Sequence, residues 1–452
     1  MRICCIQLPA RDITKHRQAL EDILYWIDHA GCEPPDLMVL PECAYPAYYL
    51  GYDGKAWAEA EREYDRVLEI LAGLAKKHGA YIAAGLVTLK EGVRYNSGIL
   101  LDRQGREVLR CAKTNLWHFD SRWFTPGDGY RLTDCDFGRV GMLICADGRM
   151  PEIPRLLARK GASIIIDMAN LTASGWDAAR LKNAQCDYML ATRAEENGVF
   201  LAMADKCGTE ARCVQYAGRS AVYSPRGEVL AEAPPDSPGV ITVDVDLSEA
   251  VPKGNLRPPK DFAALARPVQ HEAAGQCGAE VCEVYASVVN FSAGDTGEYI
   301  AKASHHIRSV RGLYAGLVVL PPMNREMDFP SALEAIRTSL PDDEVIVAMT
   351  GYTEDDIVTV VFSRSREFGR YQTSRDASPL LPVKALGIAI GVVHGDEILS
   401  PEIARCYLLE GAELLLHVDN TARNRALGIA KTRAAENRMF LLRQSGLREG
   451  DH

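Results

Sequence analysis

Nowhere does the chain approach the roughly 18 uninterrupted apolar residues that a membrane-spanning helix needs, so a membrane-embedded class is not expected. It has no surplus of positive charge either: 51 Lys and Arg stand against 61 Asp and Glu, a net charge of −10. Without a basic stripe interleaved with aromatics, nucleic acid is not an expected partner. The 13 cysteines contain no C-x-x-C pair and no C-x-x-C…H-x-x-x-H pattern, which argues against a zinc site. An odd cysteine count in a chain of 452 residues also argues against a disulfide framework, so reduced, buried thiols are expected. The opening segment MRICCIQLPARDI has an apolar run too short for a signal peptide and reads as a strand. These features together point to a cytoplasmic protein.

What is present is a chain longer than one hydrophobic core usually supports, hence two domains. Strand-like runs alternate with helical periodicity: 2–8, 36–42, 81–87, 138–145 and 162–169 as strands, 95–110 as a hairpin turning at Arg103-Gln104-Gly105. Between them, apolar residues at Leu20, Ile23, Leu24 and Ile27 predict a helix, as do 56–79 and 151–161. This order implies an α/β layered architecture. The pattern breaks over a proline-rich, polar stretch near 249–275 and then resumes. The expected organisation is a catalytic domain over 1–250, a linker over 251–278 and a second domain over 279–452.

The second half echoes the first. TRAEENGVFL (192–201) and TRAAENRMFL (432–441) agree at seven of ten positions. GASIIIDMAN (161–170) pairs with GAELLLHVDN (411–420), and LMVLPE (37–42) with LVVLPP (317–322). Three matches in the same order indicate a tandem duplication with shorter loops in the second copy.

Three segments carry chemistry. Pro41-Glu42 follows a buried strand, Lys113 lies in CAKTNL, and Cys145 opens CADGRMPE (145–152). With FTPGD (124–128), RAEEN (193–197) and GRSAVYSPRGEVL (218–230), they make residues 1–250 resemble the nitrilase superfamily of carbon–nitrogen hydrolases. The resemblance implies a four-layer αββα sandwich in which Glu42, Lys113 and Cys145 converge from strand ends. The chemistry needs these types: a thiol as nucleophile, a carboxylate to move its proton, and a fixed cation for the tetrahedral oxyanion. No metal or organic cofactor is implied. A thiol at a strand end with a helix starting near Pro151 is expected to sit in a positive field that favours thiolate.

Similar enzymes carry a second glutamate four residues before the Phe of the F-x-P-G segment; here that place holds Asp120. Asp147, Arg149 and Glu152 are expected to be structural, with Arg149 pairing with a carboxylate to fix the turn. Trp117, His118 and Asn170 are candidate substrate contacts, with Trp123 beside them; packing roles explain the aromatic residues equally well. The segment after Cys145 departs from the C-W-E-N form of enzymes acting on nitriles, which favours small amide or N-carbamoyl substrates. Gly148 occupies the place where N-carbamoyl amino acid hydrolases put an additional arginine, which weakens that class.

In the second copy Glu42, Lys113 and Cys145 fall on Pro322, Thr373 and Gly395, so that copy is expected to be inactive. Cys277, Cys282 and Cys406 are not at the nucleophile's position, and His394, Asp396 and Glu397 form only a weak candidate for a metal. The inactive copy is expected to act as the partner in an internal pseudo-dimer, with further homo-oligomers open. The leading reading is hydrolysis of a non-peptide C–N bond through a thioester. The alternatives are acyl transfer to an amine or alcohol, nitrile hydrolysis, and a non-catalytic binding or regulatory protein.

Overall fold

Isoleucine, cysteine and leucine crowd the first strand. In the computed structural model, β1 (Arg2–Pro9) is buried along six consecutive residues, as a strand covered on both faces must be. The structure describes residues 1–51, 53–173, 180–254, 264–265, 284–311, 316–354, 356–373, 380–419 and 426–445. The chain divides into two compact units, residues 1–254 and 255–452.

In the first unit β2 (Leu37–Val39) and β3 (Tyr81–Lys90) continue parallel from β1, then β4 (Val93–Leu101) and β5 (Glu107–Ala112) run antiparallel. A second sheet has β6 (Leu132–Cys135) antiparallel to β7 (Gly138–Ile144), with β8 (Ile164–Met168) and β9 (Phe200–Ala204) parallel to it. The chain returns to the first sheet through β10 (Lys206–Cys207), makes a small hairpin of β11 (Thr209–Glu210) and β12 (Val214–Gln215), and finishes both sheets with β13 (Ala221–Tyr223), β14 (Val229–Glu232) and β15 (Gly239–Asp244).

Alternation along the strands fixes the layers. Ile3, Cys5 and Val39 meet Val140, Met142 and Ile166 between the sheets. Outside the first sheet lie α1 (His16–Ala30), α2 (Gly54–Arg62) and α3 (Tyr64–His78), burying Ile23, Ile27 and Leu71. Outside the second, α4 (Glu152–Arg159) packs Ile153 and Leu157 on Leu143 and Ile165, and α5 (Leu190–Asn197) follows. The first unit is thus an αββα sandwich.

The structure differs from the sequence reading in two places here. The single helix expected over 56–79 is two, because the Glu63 N–H reaches back three residues to the Ala60 carbonyl at 3.1 Å. Tyr45 Oη braces that turn, 3.4 Å from Ala60 O and 3.3 Å from Glu63 Oε2. The strand expected over 36–42 stops at Val39: Leu40 still donates to Ala83 O at 2.8 Å, but Pro41 has no N–H to continue the ladder.

The second unit repeats this order. β16 (Ala286–Val288), β17 (Leu317–Val319), β18 (Ile346–Thr353), β19 (Asp356–Phe362) and β20 (Glu367–Gln372) pair parallel, parallel, antiparallel, antiparallel. β21 (Val383–Ala385), β22 (Ile388–His394), β23 (Leu414–Asp419) and β24 (Phe440–Ser445) pair antiparallel, parallel, parallel. Val319, Ile390, Val392 and Leu416 fill the space between these sheets. The outer faces carry α6 (Thr296–Arg311) with α7 (Phe329–Ser339), and α8 (Pro401–Leu409) with α9 (Ala426–Asn437). Cys277, Cys282 and most of the linker expected over 251–278 lie outside the described residues.

At the strand ends of this unit, three threonines and a histidine bond to one another. Thr350 Oγ1 lies 2.6 Å from Thr359 Oγ1, which is 2.7 Å from His394 Nε2, while Thr373 Oγ1 is 2.6 Å from His394 Nδ1. Glu397 accepts the His394 N–H at 3.0 Å and the Tyr371 hydroxyl at 2.9 Å. No metal-binding group of three such ligands occurs among the described residues. Among them, too, no helix is long and apolar enough to cross a membrane.

Candidate active site

Glu42 leaves β2 through Pro41, and its segment lies directly on β3. A Cβ at Gly85 would come within 2.3 Å of Pro41 O and 2.5 Å of Glu42 Cα, so only glycine admits this approach. Lys113 follows β5, its N–H donating to Asn96 O at 2.8 Å. Its Nζ lies 2.8 Å from Glu42 Oε1 and 2.7 Å from Asp120 Oδ2, and all three side chains are fully buried. Asn96 Nδ2 donates to the same Glu42 Oε1 at 2.5 Å. Asp120, in a short turn, accepts the Tyr48 hydroxyl at 2.6 Å and the Trp117 N–H at 2.9 Å. Burying these charges is tolerable only because each is paired and hydrogen-bonded. Glu42 Oε2 has no hydrogen-bond partner among the described residues.

Cys145 ends β7 and starts a 3₁₀ turn, Cys145–Arg149, with φ of 50°. Its Sγ lies 3.7 Å from Asn170 O, and Asn170 Nδ2 donates to Glu42 O at 2.9 Å. Asn170 thereby joins the cysteine and glutamate segments through its backbone and side chain.

Burial pushes the Cys145 thiol well above its ordinary value, the Glu42 charge adds to this, and Lys113 opposes it. The thiolate expected from a nearby helix N-terminus is therefore not what the environment favours: α4 begins only at Glu152, and desolvation wins. Burial also raises the Glu42 carboxyl, against the pull of Lys113. Lys113 is held well above its usual value despite burial, by the charges of Glu42, Cys145 and Asp120. A neutral thiol beside a raised carboxyl and a firmly held cation has the parts for proton transfer coupled to nucleophilic attack.

Asp147 accepts Asn115 N–H at 2.8 Å, Thr114 Oγ1 at 3.1 Å and Ile144 N–H at 3.3 Å, tying the turn to the Lys113 segment. Among the described residues Arg149 has no carboxylate partner of the kind expected. Its Nε donates to Gln185 Oε1 at 2.8 Å and its guanidinium lies over Trp117 at 5.7 Å. Glu152 opens α4 and is exposed. His118 is exposed with φ of 50°, tilted against Trp117. Trp123 packs edge-on against Tyr49.

The sequence reading missed Asn96, Tyr48, Gln185 and Asp167, which touch site residues. It used Arg193 only within a repeat and a family segment, with no role assigned, although that fully buried side chain caps the turn at Gly148 O (2.9 Å) and Arg149 O (3.0 Å). One usable signal was there: Asp167 is a charged residue inside an otherwise apolar strand, IIIDM.

The family described as "Carbon-nitrogen hydrolase" matches residues 2–253. The chain belongs to the carbon-nitrogen hydrolase family. This carbon-nitrogen hydrolase is 32% identical over 227 residues to a nitrilase of Pyrococcus abyssi, a match covering 49% of this chain and 80% of the relative. It is 31% identical over 218 residues to an (R)-stereoselective amidase of a Pseudomonas species, covering 48% and 75%. A solved amidase from a Nesterenkonia species has 25% identity and a TM-score of 0.47, covering 54% of this chain and 90% of that one. The protein is an enzyme, a hydrolase of carbon–nitrogen bonds.

Proposed function

We propose that this hydrolase cuts a carboxylic amide, with Cys145 as nucleophile, Glu42 as general base and acid, Lys113 as the oxyanion's cation and Asp120 as the carboxylate that positions Lys113. The observation that carries this is the shared ion pair: Lys113 commits N–H bonds to Glu42 and Asp120. An ammonium has three donors, so one is left for a developing oxyanion. Glu42 Oε1 is occupied by Lys113 and Asn96, which leaves Oε2 to take the Sγ proton. The thiolate attacks the carbonyl carbon, protonated Glu42 gives its proton to the leaving nitrogen, and Glu42 then deprotonates the water that opens the thioester.

Gly148 supports an amide over an N-carbamoyl amino acid. A Cβ there would stand 3.3 Å from Asp167 Oδ2, so the position is filled from behind and bears no cation for a substrate carboxylate. The amidases among the relatives favour the same choice. The test is intact-mass spectrometry with a panel of short amides, N-carbamoyl compounds and nitriles. An acyl adduct on Cys145 from amides supports the reading; adducts only from the other classes overturn it.

A pH dependence follows. Glu42 must be ionised to take the thiol proton, and its carboxyl is raised, chiefly by burial, above the ordinary 4.5. Activity is therefore present above that raised value and lost as pH falls through it. The acid limb of kcat/KM is expected above pH 4.5; a midpoint at or below that value removes Glu42 from this role.

The second unit fits a degenerate duplicate serving as an internal partner. Its strand order and directions support this, as do paired details. Cys145 and Gly395 both have positive φ, 50° and 46°. The Ile144 N–H bonds Asp147 as the His394 N–H bonds Glu397, and Arg193 and Arg433 reach Gly148 O and Ile398 O. With Pro322, Thr373 and Gly395 at the three chemical positions, it has no nucleophile. Residues 1–254 expressed alone are expected to self-associate or lose activity in light scattering and turnover assays; a monomer of full activity sinks the partner role.

A further inference from the structure

Left-handed backbone at a non-glycine residue is uncommon, and at Cys145 it must be imposed by neighbours. Two side chains do this. Asp167, on β8, accepts the Cys145 N–H through Oδ1 at 2.8 Å. Gln185 donates Nε2 to the Cys145 carbonyl at 2.9 Å. Gln185 is itself fixed at both ends: its Oε1 takes Arg149 Nε at 2.8 Å and its N–H takes Asn183 Oδ1 at 2.8 Å. Neither Asp167 nor Gln185 has a part in the proton transfers above.

We propose that Asp167 and Gln185 are positioning residues for the nucleophile, gripping the Cys145 N–H and C=O so that the strained turn presents Sγ to Glu42, and that Asp167 does so as a neutral acid. The inference rests on the reading of Cys145 as nucleophile. The neutral state follows from what surrounds the carboxyl. Asp167 Oδ2 is buried with no hydrogen-bond partner among the described residues. The Glu42 and Asp147 charges oppose its ionisation; the Cys145 N–H and the Lys113 cation favour it, but that cation is already shared between Glu42 and Asp120. An ionised Asp167 would add another negative charge beside a thiol that must become a thiolate. A neutral carboxyl still accepts the Cys145 N–H through its carbonyl oxygen, less strongly than a carboxylate would, and burial outweighs that bond in pushing Asp167 well above the usual carboxylate range. Where the turn residue is glycine and needs no such hold, the second unit has no carboxyl: His417 Nε2 lies 3.1 Å from Gly395 O instead.

The test uses the full chain and four proteins: wild type, Asp167→Asn, Asp167→Ala and Gln185→Ala. Each is assayed for kcat and KM on a short primary amide, for alkylation of Cys145 by chloroacetamide across pH, and for melting temperature. Asp167→Asn imitates the neutral acid, so it should keep kcat and the wild-type pH profile. Asp167→Ala and Gln185→Ala should lose kcat by about 100-fold, the scale set by misplacing a reacting group by about 1 Å, with KM nearly unchanged and alkylation slowed in parallel. Full kcat in Asp167→Ala and Gln185→Ala overturns the positioning role. An Asp167→Asn enzyme as weak as Asp167→Ala, or one whose alkylation profile moves to lower pH, overturns the neutral acid. If Asp167→Ala does not fold, Gln185→Ala and Asp167→Asn still decide both points. A wild type that neither turns over amides nor reacts at Cys145 fails the underlying reading instead.

Discussion

Cys145→Ala is expected to lower kcat/KM on its amide by at least about 10⁴-fold, the scale seen when a covalent nucleophile is removed, while leaving the fold intact. The two halves of that expectation have separate physical causes. The activity falls because the atom that would carry the acyl group is gone and alanine offers no nucleophile in its place. The fold survives because Sγ makes one weak hydrogen bond, 3.7 Å to Asn170 O, and alanine keeps the Cβ that packs between the sheets. A melting temperature near wild type with no acyl adduct by mass spectrometry is the expected pair of results. Retained turnover by a folded Cys145→Ala protein would exclude the thioester at this residue.

Lys113→Met should be costly in a different way, because it unfolds as well as inactivates. The substitution keeps the length of the stem but strands Glu42 and Asp120, two fully buried carboxylates that share the ammonium at 2.8 and 2.7 Å. Breaking a buried ion pair from one side costs about 3–5 kcal/mol. For a unit of 254 residues this corresponds to a loss of roughly 10 °C in melting temperature. Loss of the oxyanion's donor lowers kcat by a further factor of about 10²–10³ in whatever remains folded. The stability deficit should shrink with falling pH: the Glu42 carboxyl is already raised by burial and loses the cation that opposes this, so protonating it relieves the repulsion. Glu42→Gln makes the informative comparison, since it leaves Lys113 paired with Asp120 one to one. It should lose turnover with a much smaller change in melting temperature, and the double variant Glu42→Gln, Lys113→Met should be more stable than Lys113→Met alone. If Lys113→Met melts with the wild type, the shared ion pair is not what holds this centre.

Residues whose role is announced by immediate neighbours were legible in the sequence. Glu42 follows a proline that ends an apolar strand, Cys145 opens a recognisable turn, and Asp120 stands at a fixed distance from Phe124. The residues that were not legible act across strands. Asn96 reaches Glu42 and Asp167 reaches Cys145 only because of the register between neighbouring strands, which one sequence does not display. The break at Glu63 was hidden because good helix formers lie on both sides of it and the brace, Tyr45, comes from 18 residues upstream. Arg149 was assigned the right kind of task and the wrong partner, since a carboxylate is the commoner choice and Gln185 lies 36 residues away. In the second half the order of elements was plain, yet Thr350 and Thr359 looked like ordinary strand residues, and Thr373 was read only as the place of a missing lysine.

Those threonines carry a consequence for ancestry on the duplication reading. β3 pairs Gly85 with Gly98 where β18 pairs Thr350 with Thr359, so two positions kept bare in the first unit are occupied in the second. His394 bridges Thr359 and Thr373, and the vacated chemistry has become packing. Restoring glutamate, lysine and cysteine at 322, 373 and 395 would therefore not restore a site, because the room they need is filled and the fill is itself bonded. Replacing Thr373 removes its hydrogen bond to His394 Nδ1, while Thr359 still holds the other ring nitrogen in place. On that reading the histidine–threonine network and a live centre exclude each other at this place in the second unit.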